Sequence, residues 1–591
     1  MNNNFKRITC LMISFLTIGC SSPISSSSAS NSSKSSSATS GRSSSSSAGH
    51  QHRWSNEWTY DENNHWKTCT NGKCDEVNEK AAHTFSELQD IDPDKLQGID
   101  KYAYSNPKAK VCTCGYYKDL TGTNLLPELR FTFDKNDPDA DFATKAKKDD
   151  ISRPEVQGTI TITNCPDEYK ISKKAAGMKV RGNQTAGWSK KGFRIKFDKK
   201  QNLFGLNGGP DGKGFKKWIL LADAKDTCLV RTALGLYVSQ AVIKDGDNVW
   251  YSKYTPVTVY LNDEYWGFYY LCEQKEVKAG RVNLPEPEEG YTGTDIGYCF
   301  ELDYYAADER KKGADADATF DVTYSPKMVT GNVQGALPPG GVKSYTLLSD
   351  ITDGPGNVAT TESNSKQVAF IKNKVESLYT ILYEAAVNKV AKEIDENGKV
   401  VTSSKTVQEV MTQYFNLESW AAGVIINAFT CPPDLGYSSF YMAYDNSSTG
   451  DKKLRFDVPW DFDSNFGNRN NFNVNADQLY VDVTHNMWLQ LLMKLDFFVN
   501  QYVKVRWQTL MQEKAFDGMM DMMKKHFADN DAEIKRNHYK WPQNDAAHQP
   551  PNNFDEIREP YKDPARYKDA EQETISWCTK RVTYLNSKWG K

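Results

Sequence analysis

The chain has 591 residues, of which 73 are Lys or Arg and 76 are Asp or Glu, so its formal net charge at pH 7 is -3. This length exceeds what one hydrophobic core usually serves, which predicts a large domain accompanied by smaller segments. The balanced charge gives no global signal for binding a polyanion, and we expect no nucleic-acid partner.

The N-terminus is typical of a bacterial export signal. A basic start precedes an apolar run, residues 8–18, that is too short to span a bilayer permanently. Residues 16–20, Leu-Thr-Ile-Gly-Cys, resemble a lipoprotein box. We therefore expect removal of residues 1–19 and a lipid on Cys20 that anchors the exported protein to the outer face of the cytoplasmic membrane. Plain secretion is the alternative, because Thr17 stands where leucine is commoner.

Serine dominates the next segment, residues 20–49. Between residues 21 and 47, 18 of 27 residues are serine, and large apolar side chains are almost absent. Such a composition cannot bury a core, so it predicts a flexible tether.

Residues 50–118 form a small module in which tryptophans and histidines interleave with cysteines. Small modules usually need a stabilising cross-link, and either a structural zinc site or two disulfides would supply it. Export favours disulfides and the histidines favour zinc, so both remain open. The pattern resembles small repeat-like modules of Gram-positive surface proteins, which implies a binding or spacer role. The candidate zinc ligands are Cys69, Cys74, Cys112, Cys114, His65 and His83.

The main domain is predicted to cover residues 119–591, with strands first and helices afterwards. A polar turn at Asn262 and Asp263 indicates a hairpin, and the Gly/Pro/Thr-rich segment 312–365 is predicted to be a loop insertion. The resulting prediction is an α+β, two-lobed fold. The predicted strands lie near residues 129–133, 158–163, 179–181, 193–197, 217–221, 256–261 and 267–271, and the predicted helices near 368–390, 417–429 and 487–510.

Two acids two residues apart, Asp461 and Asp463, follow Pro459 and Trp460 in a short extended segment. Both carboxylates can face one metal ion, and hard oxygen ligands favour Mg²⁺, Mn²⁺ or Ca²⁺ over zinc. The alternative is an ordinary turn or a structural ion pair.

A basic segment, Lys190-Lys191-Gly-Phe-Arg194-Ile-Lys196, alternates charged and apolar residues. One face of such a strand is positive and suits a polyphosphate, although an ordinary solvated face has the same pattern. Histidine is absent between His83 and His485, which excludes a Ser/His/Asp triad or a histidine-bound zinc hydrolase from that region. The pattern favours chemistry carried out by carboxylates, cations and a metal.

Several ordered motifs between about residues 120 and 510 resemble the spore coat protein H (CotH) kinase family. That resemblance implies an atypical protein-kinase-like fold that transfers the γ-phosphoryl group of ATP to serines of coat or surface proteins. The motifs are Arg181-Gly-Asn, Lys190-Lys191-x-x-Arg194-x-Lys196-Phe197, Trp218-x-Leu220-Leu221-Ala222 with Asp226 and Leu229-x-Arg231, Val259 to Gly267, Glu273, Arg281-Val-Asn283 and Pro459-Trp-Asp-Phe-Asp463.

The resemblance also implies residue roles. Asp461 and Asp463 would hold Mg²⁺ or Mn²⁺, with Asp461 also counted as catalytic, and Asp434 would be the catalytic base. Ser438 and Ser439 occupy the region where family members often carry an Asn, which puts a second metal ligand in doubt. The implied ATP-side contacts are Arg181, Lys191 (also catalytic), Arg194 and Lys196. Glu273 would orient a lysine or shape the nucleotide pocket, and a strand-end ion pair is the alternative for it.

We therefore expect a surface-anchored, Mg²⁺-dependent protein serine kinase whose acceptor is a Ser-rich segment, its own tether included, or another cell-surface or coat protein. A non-catalytic surface binding protein on the same scaffold is the alternative. A metal-dependent phosphoester hydrolase using the same acids is a third, weaker one.

Overall fold

The chain divides into two compact units, residues 1–82 and 83–591. The boundary falls inside the predicted 50–118 module. The predicted signal and tether lie outside the residues that the structure describes. This computed structural model describes residues 51–71, 74–97, 100–101, 104, 106–122, 126–146, 153–182, 184–304, 306, 319–323, 343–349, 365–468, 475–479, 486–542 and 567–591.

The first unit contains a three-stranded antiparallel sheet made of β1 (Thr59–Tyr60), β2 (Asn64–Thr68) and β3 (Val77–Ala82). His65 in β2 is buried, and its ring meets the Trp58 ring edge-on at 4.5 Å. These short strands bury little apolar surface, so the module needs a cross-link such as a metal site or a disulfide for its stability.

The second unit opens with another small antiparallel sheet, made of β4 (Gln89–Asp90), β5 (Lys108–Val111) and β6 (Tyr117–Thr121). Among the described residues, the buried apolar cluster beside this sheet has three members. They are Ile91, Leu96 and Ala109.

A closed seven-stranded barrel follows, in the order β10-β11-β13-β12-β7-β8-β9. Its strands alternate, so that side chains such as Phe193 and Ile195 are buried while Lys196 faces outward. The predicted hairpin is present, because Asn262 and Asp263 adopt positive φ between β12 and β13. The strands are β7 (Glu128–Phe133), β8 (Val156–Thr163), β9 (Ile171–Arg181), β10 (Gly192–Gln201), β11 (Phe215–Leu221), β12 (Tyr254–Leu261) and β13 (Glu264–Glu273).

The rest of the unit combines helices with a five-stranded sheet in the order β15-β16-β14-β19-β20. Strands β15 and β16 lie inside segment 312–365, which we expected to be a loop, so part of that segment is ordered by pairing with β14. The five strands are β14 (Gly297–Leu302), β15 (Thr319–Asp321), β16 (Ser344–Leu347), β19 (Phe440–Asp445) and β20 (Leu454–Asp457), and a separate two-stranded sheet consists of β17 (Lys392–Ile394) and β18 (Val400–Thr402).

The longer helices begin at residues that cap them. Ser365 and Asn416 each accept a hydrogen bond from the backbone three residues on, before helices Lys366–Tyr383 and Leu417–Thr430. The predicted helix 487–510 is instead interrupted into shorter pieces. The other helices are Phe142–Lys145, Arg231–Val242, Val407–Tyr414, Met487–Leu492, Asp496–Phe498, Lys504–Gln512, Ala515–Asp529, Asp531–Lys540 and Tyr567–Trp589, with π-helical turns at Glu384–Asn388 and Val499–Val503.

The mixture of a strand-rich first half and a helix-rich second half confirms the α+β class; the two-lobed layout stays a prediction. Within the described ranges, none of the helices has the length and apolar character needed to cross a bilayer.

Candidate active site

A cavity of about 370 Å³ lies where the barrel meets the five-stranded sheet, a volume within the range of small-molecule sites. Five carboxylates and three cations line it, so its lining carries more formal negative than positive charge. These residues are Glu301, Asp303, Asp434, Asp461 and Asp463 together with Arg181, Lys225 and Lys275.

The acidic loop after β20 is held in a tightly turned conformation. Asp461 has a positive φ of 65°, and the adjacent Phe462 is buried against Gly235 of helix Arg231–Val242, where a Cβ would lie 2.0 Å from the ring. The Asn468 side chain donates to the backbone oxygen atoms of Asp463 and Lys225, both at 3.0 Å. Burying the aromatic side chain between the two acids turns both acids towards the cavity.

Burial raises the pKa of Asp463 to about 6, and the neighbouring Asp461 adds to the rise while Lys225 opposes it. Ser439 donates to Asp461 at 3.2 Å, and Ser464 donates to Asp463 at 3.2 Å. An exposed and a half-buried carboxylate on one cavity are a donor set that suits a hard divalent cation, which would neutralise them.

Asp434 lies on the same cavity, in the segment that follows helix Leu417–Thr430. Its backbone oxygen accepts hydrogen bonds from the Tyr437 and Ser438 amides, at 2.7 and 3.0 Å. This turn places Ser438 on the cavity as well, at the position where we expected a second metal ligand to be in doubt. The structure thus brings the predicted base and the predicted metal pair together.

Arg181, at the end of β9, is the predicted phosphate contact that does line the cavity. Burial lowers the pKa of Arg181, whereas the charges of Asp461 and Asp463 raise it. Its guanidinium lies 5.9 Å from the centre of the Trp460 ring. The acidic loop and the barrel therefore meet through this arginine.

Lys275, just beyond β13, is a cavity residue that the sequence did not reveal. Its ammonium group lies 3.6 Å from the carboxylate of Glu301 and 4.1 Å from the centre of the Tyr441 ring. Glu301 also accepts from the Ser439 amide at 2.7 Å and from the Tyr441 hydroxyl at 2.5 Å. Burial raises the pKa of Glu301, and Lys275 opposes that rise.

Four other predicted residues do not line this cavity. Lys191 donates to the backbone oxygens of Ala186 and Trp188, and burial lowers its pKa to about 8. Arg194 pairs with Glu155 at 3.2 Å, and Lys196 is exposed. Both side chains project from the outer face of the barrel, because the alternate positions fill its interior.

Glu273 lies at the end of β13, but its carboxylate is engaged away from the cavity. It accepts from the Asn207 side chain at 2.5 Å and the Lys253 amide at 3.1 Å, and it lies 3.7 Å from Arg281. Its proposed nucleotide role, like those of Lys191, Arg194 and Lys196, stays a prediction that these positions do not favour.

An α+β chain in which five carboxylates and three basic side chains line one cavity has the groups that a phosphoryl-transfer enzyme of the kinase-like class needs. The chain belongs to the CotH kinase family. The family model described as CotH kinase protein matches residues 178–336 and 352–585, more than half of the chain. The resemblance seen in the sequence is thereby confirmed, and membership implies a kinase-like enzyme that uses ATP and a divalent metal. A search of curated proteins gave no match.

Proposed function

We propose that this protein is a Mg²⁺-dependent protein serine kinase whose nucleotide and metal bind in the cavity between the barrel and the five-stranded sheet. The single observation that supports it best is the convergence of Asp434, Asp461 and Asp463 with Arg181, Lys225 and Lys275 on that cavity. These residues come from segments spread over almost 300 positions.

In this proposal Asp461 and Asp463 hold the metal, and Arg181, Lys225 and Lys275 contact the phosphates. A divalent cation bound there would supply charge neutralisation at the phosphate oxygens. The bond between the serine oxygen and the γ-phosphorus forms while the bond from that phosphorus to the ADP oxygen breaks. Asp434 accepts the hydroxyl proton.

The acceptor that we propose is a Ser-rich segment, with the chain's own residues 21–47 as the first candidate. The segment is dense in serine and contains two basic residues, Lys34 and Arg42, that suit a site with excess negative charge. We also propose that the protein is exported and anchored by a lipid on Cys20, and that the 50–118 module is a structural unit. Loss of metabolic lipid labelling in Cys20→Ser would test the anchor.

The test of catalysis is incubation of the purified full chain with γ-labelled ATP and Mg²⁺, followed by mapping of labelled peptides. We expect label in the wild type and a fall of roughly 100-fold or more in Asp461→Asn and Asp434→Asn. Asp517→Asn is the matched control, because Asp517 is an exposed aspartate far along the chain from the cavity residues. It should label normally.

The outcomes separate the competing functions. Label outside residues 21–47 would keep the kinase and reject the tether as acceptor. Free phosphate without labelled protein would indicate a hydrolase. Nucleotide binding without either product, or no nucleotide binding at all, would favour a non-catalytic binding protein on this scaffold.

A further inference from the structure

In the part of the chain that the structure describes, two His/Cys clusters lie outside the candidate active site, and the first is in the 1–82 unit. His52, Cys69 and Cys74 place one potential ligand atom each within 4.8 Å of one another. The Cys74 sulfur lies 3.4 Å from the Nδ1 atom of His52. Trp54 forms an antiparallel bridge with Cys69, which brings His52, two residues earlier, to the cysteine pair.

The second cluster repeats this local arrangement within the 83–591 unit. His83, Cys112 and Cys114 likewise place their ligand atoms within 4.8 Å of one another. The Cys114 sulfur lies 3.4 Å from the Nδ1 atom of His83. Phe85, two residues after the histidine, bridges to Cys112 as Trp54 bridges to Cys69. The same His-x-aromatic segment is therefore paired with two cysteines twice.

We propose that each cluster binds one zinc ion through two thiolates and at least one imidazole, with water or a further ligand completing the tetrahedral site. Zn–S and Zn–N bonds of about 2.3 and 2.0–2.1 Å in a tetrahedral site put a nitrogen and a sulfur about 3.6 Å apart. The two observed separations of 3.4 Å need little adjustment.

The ligand chemistry and the size of the local core both favour zinc over two disulfides. A disulfide needs no imidazole, yet each cysteine pair has a histidine nitrogen at a sulfur, and thiolate with imidazole is a donor set that zinc prefers. Among the described residues, the buried apolar cluster beside the second site consists of Ile91, Leu96 and Ala109, so a bound metal would contribute much of the folding free energy of this small sheet.

The decisive measurement is the metal content of the full chain, purified without oxidant or chelator, by inductively coupled plasma mass spectrometry. We expect two zinc ions per chain, one in Cys69→Ser or Cys112→Ser, and none in the double variant. Cys165→Ser is the matched control, because Cys165 is a half-exposed free cysteine outside both clusters. It should keep both ions. The result does not depend on phosphoryl transfer.

Reconstitution with Co²⁺ tests the ligands separately from folding. The metal-stripped wild type should gain thiolate-to-cobalt absorption and tetrahedral d–d bands, and each of His52→Ala and His83→Ala should lose part of that signal. The proposal is overturned if the native chain contains no zinc and its mass is lower by four hydrogens, as two disulfides require. It is also overturned if zinc is bound but its amount is unchanged in the two cysteine variants.

Discussion

Arg231 and Asp226 form a buried ion pair, and Arg231 also holds the acidic loop through a hydrogen bond. Breaking this pair should destabilise the protein strongly. Neither side chain is exposed to solvent. The carboxylate also accepts from the backbone amides of Val230 and Arg231, at 2.8 and 2.7 Å. The Arg231 Nε group donates at 3.1 Å to the backbone oxygen of Asn465, two residues after Asp463. Arg231→Met would therefore leave a buried carboxylate without its cation and remove one of the two donors to the Asn465 carbonyl, which keeps the Asn468 amide at 3.1 Å.

Removing one partner of a buried pair costs about 3–5 kcal/mol. We expect a loss of about 3 kcal/mol here, because the carboxylate of Asp226 keeps its backbone donors, including the Cys228 amide at 3.0 Å. That is a large part of the roughly 5–15 kcal/mol by which domains are typically stable.

The assay is urea unfolding followed by tryptophan fluorescence, applied to Arg231→Met, Asp226→Asn and the double variant. The double variant should be less destabilised than the sum of the two single variants, by about 2 kcal/mol or more, since the second change removes the unpaired group. Lys525→Met is the matched control, because Lys525 forms an exposed pair with Asp529 and should lose under about 0.5 kcal/mol. Additive losses, or a loss from Arg231→Met no larger than that of the control, would refute the reasoning.

Three further predictions concern pH, packing and a cation. Burial lowers the pKa values of His526 and His538 to about 4. As pH falls from 6.5 towards 4, these histidines therefore take up protons in the unfolded chain before they do so in the folded one. The free energy of unfolding should drop by roughly 3 kcal/mol per histidine over this range. Gly235→Ala should displace Phe462, cost about 1–3 kcal/mol and weaken Mn²⁺ binding measured by calorimetry. Lys191→Met should lower the unfolding free energy by about 1–3 kcal/mol and leave ATP affinity unchanged.

A control or comparison variant tests each of these three predictions. His538→Gln should flatten part of the acid slope, and an unchanged slope would contradict the assignment. Gly246→Ala introduces a methyl group into open space and should leave metal affinity intact. Lys275→Met should weaken ATP binding at least about tenfold if the cavity lysines contact phosphate. A weakening of ATP binding in Lys191→Met instead would restore the role first expected for Lys191.

The local part of the site was predictable from the sequence. Asp461 and Asp463 were expected to share one site because they stand two residues apart, and both line the cavity; the extended conformation expected for this segment is replaced by a turn, because Asp461 has a positive φ of 65°. The most visible strands and the Asn-Asp hairpin were predictable for the same reason, since their signals lie within a few neighbouring residues.

The cations were harder to predict because their position depends on the closed barrel. Alternation shows that Arg194 and Lys196 share a face, but it does not show that this face is the outside. Lys225 and Lys275 follow strands β11 and β13 without a motif of their own, and they reach the cavity because these two strands are neighbours in the barrel. The only signal for Lys275 was its place two residues after the motif residue Glu273.

The closure of the barrel bears on how a protein acceptor could be recognised. Every one of its seven strands is hydrogen-bonded on both sides, from β10 around to β9 and back. A sheet without a free edge cannot extend itself with a strand from another polypeptide. Main-chain pairing with the barrel is therefore closed to an incoming peptide, and the barrel side of the cavity can select an acceptor only through side-chain contacts and charge, a mode of selection that tolerates many sequences of similar composition.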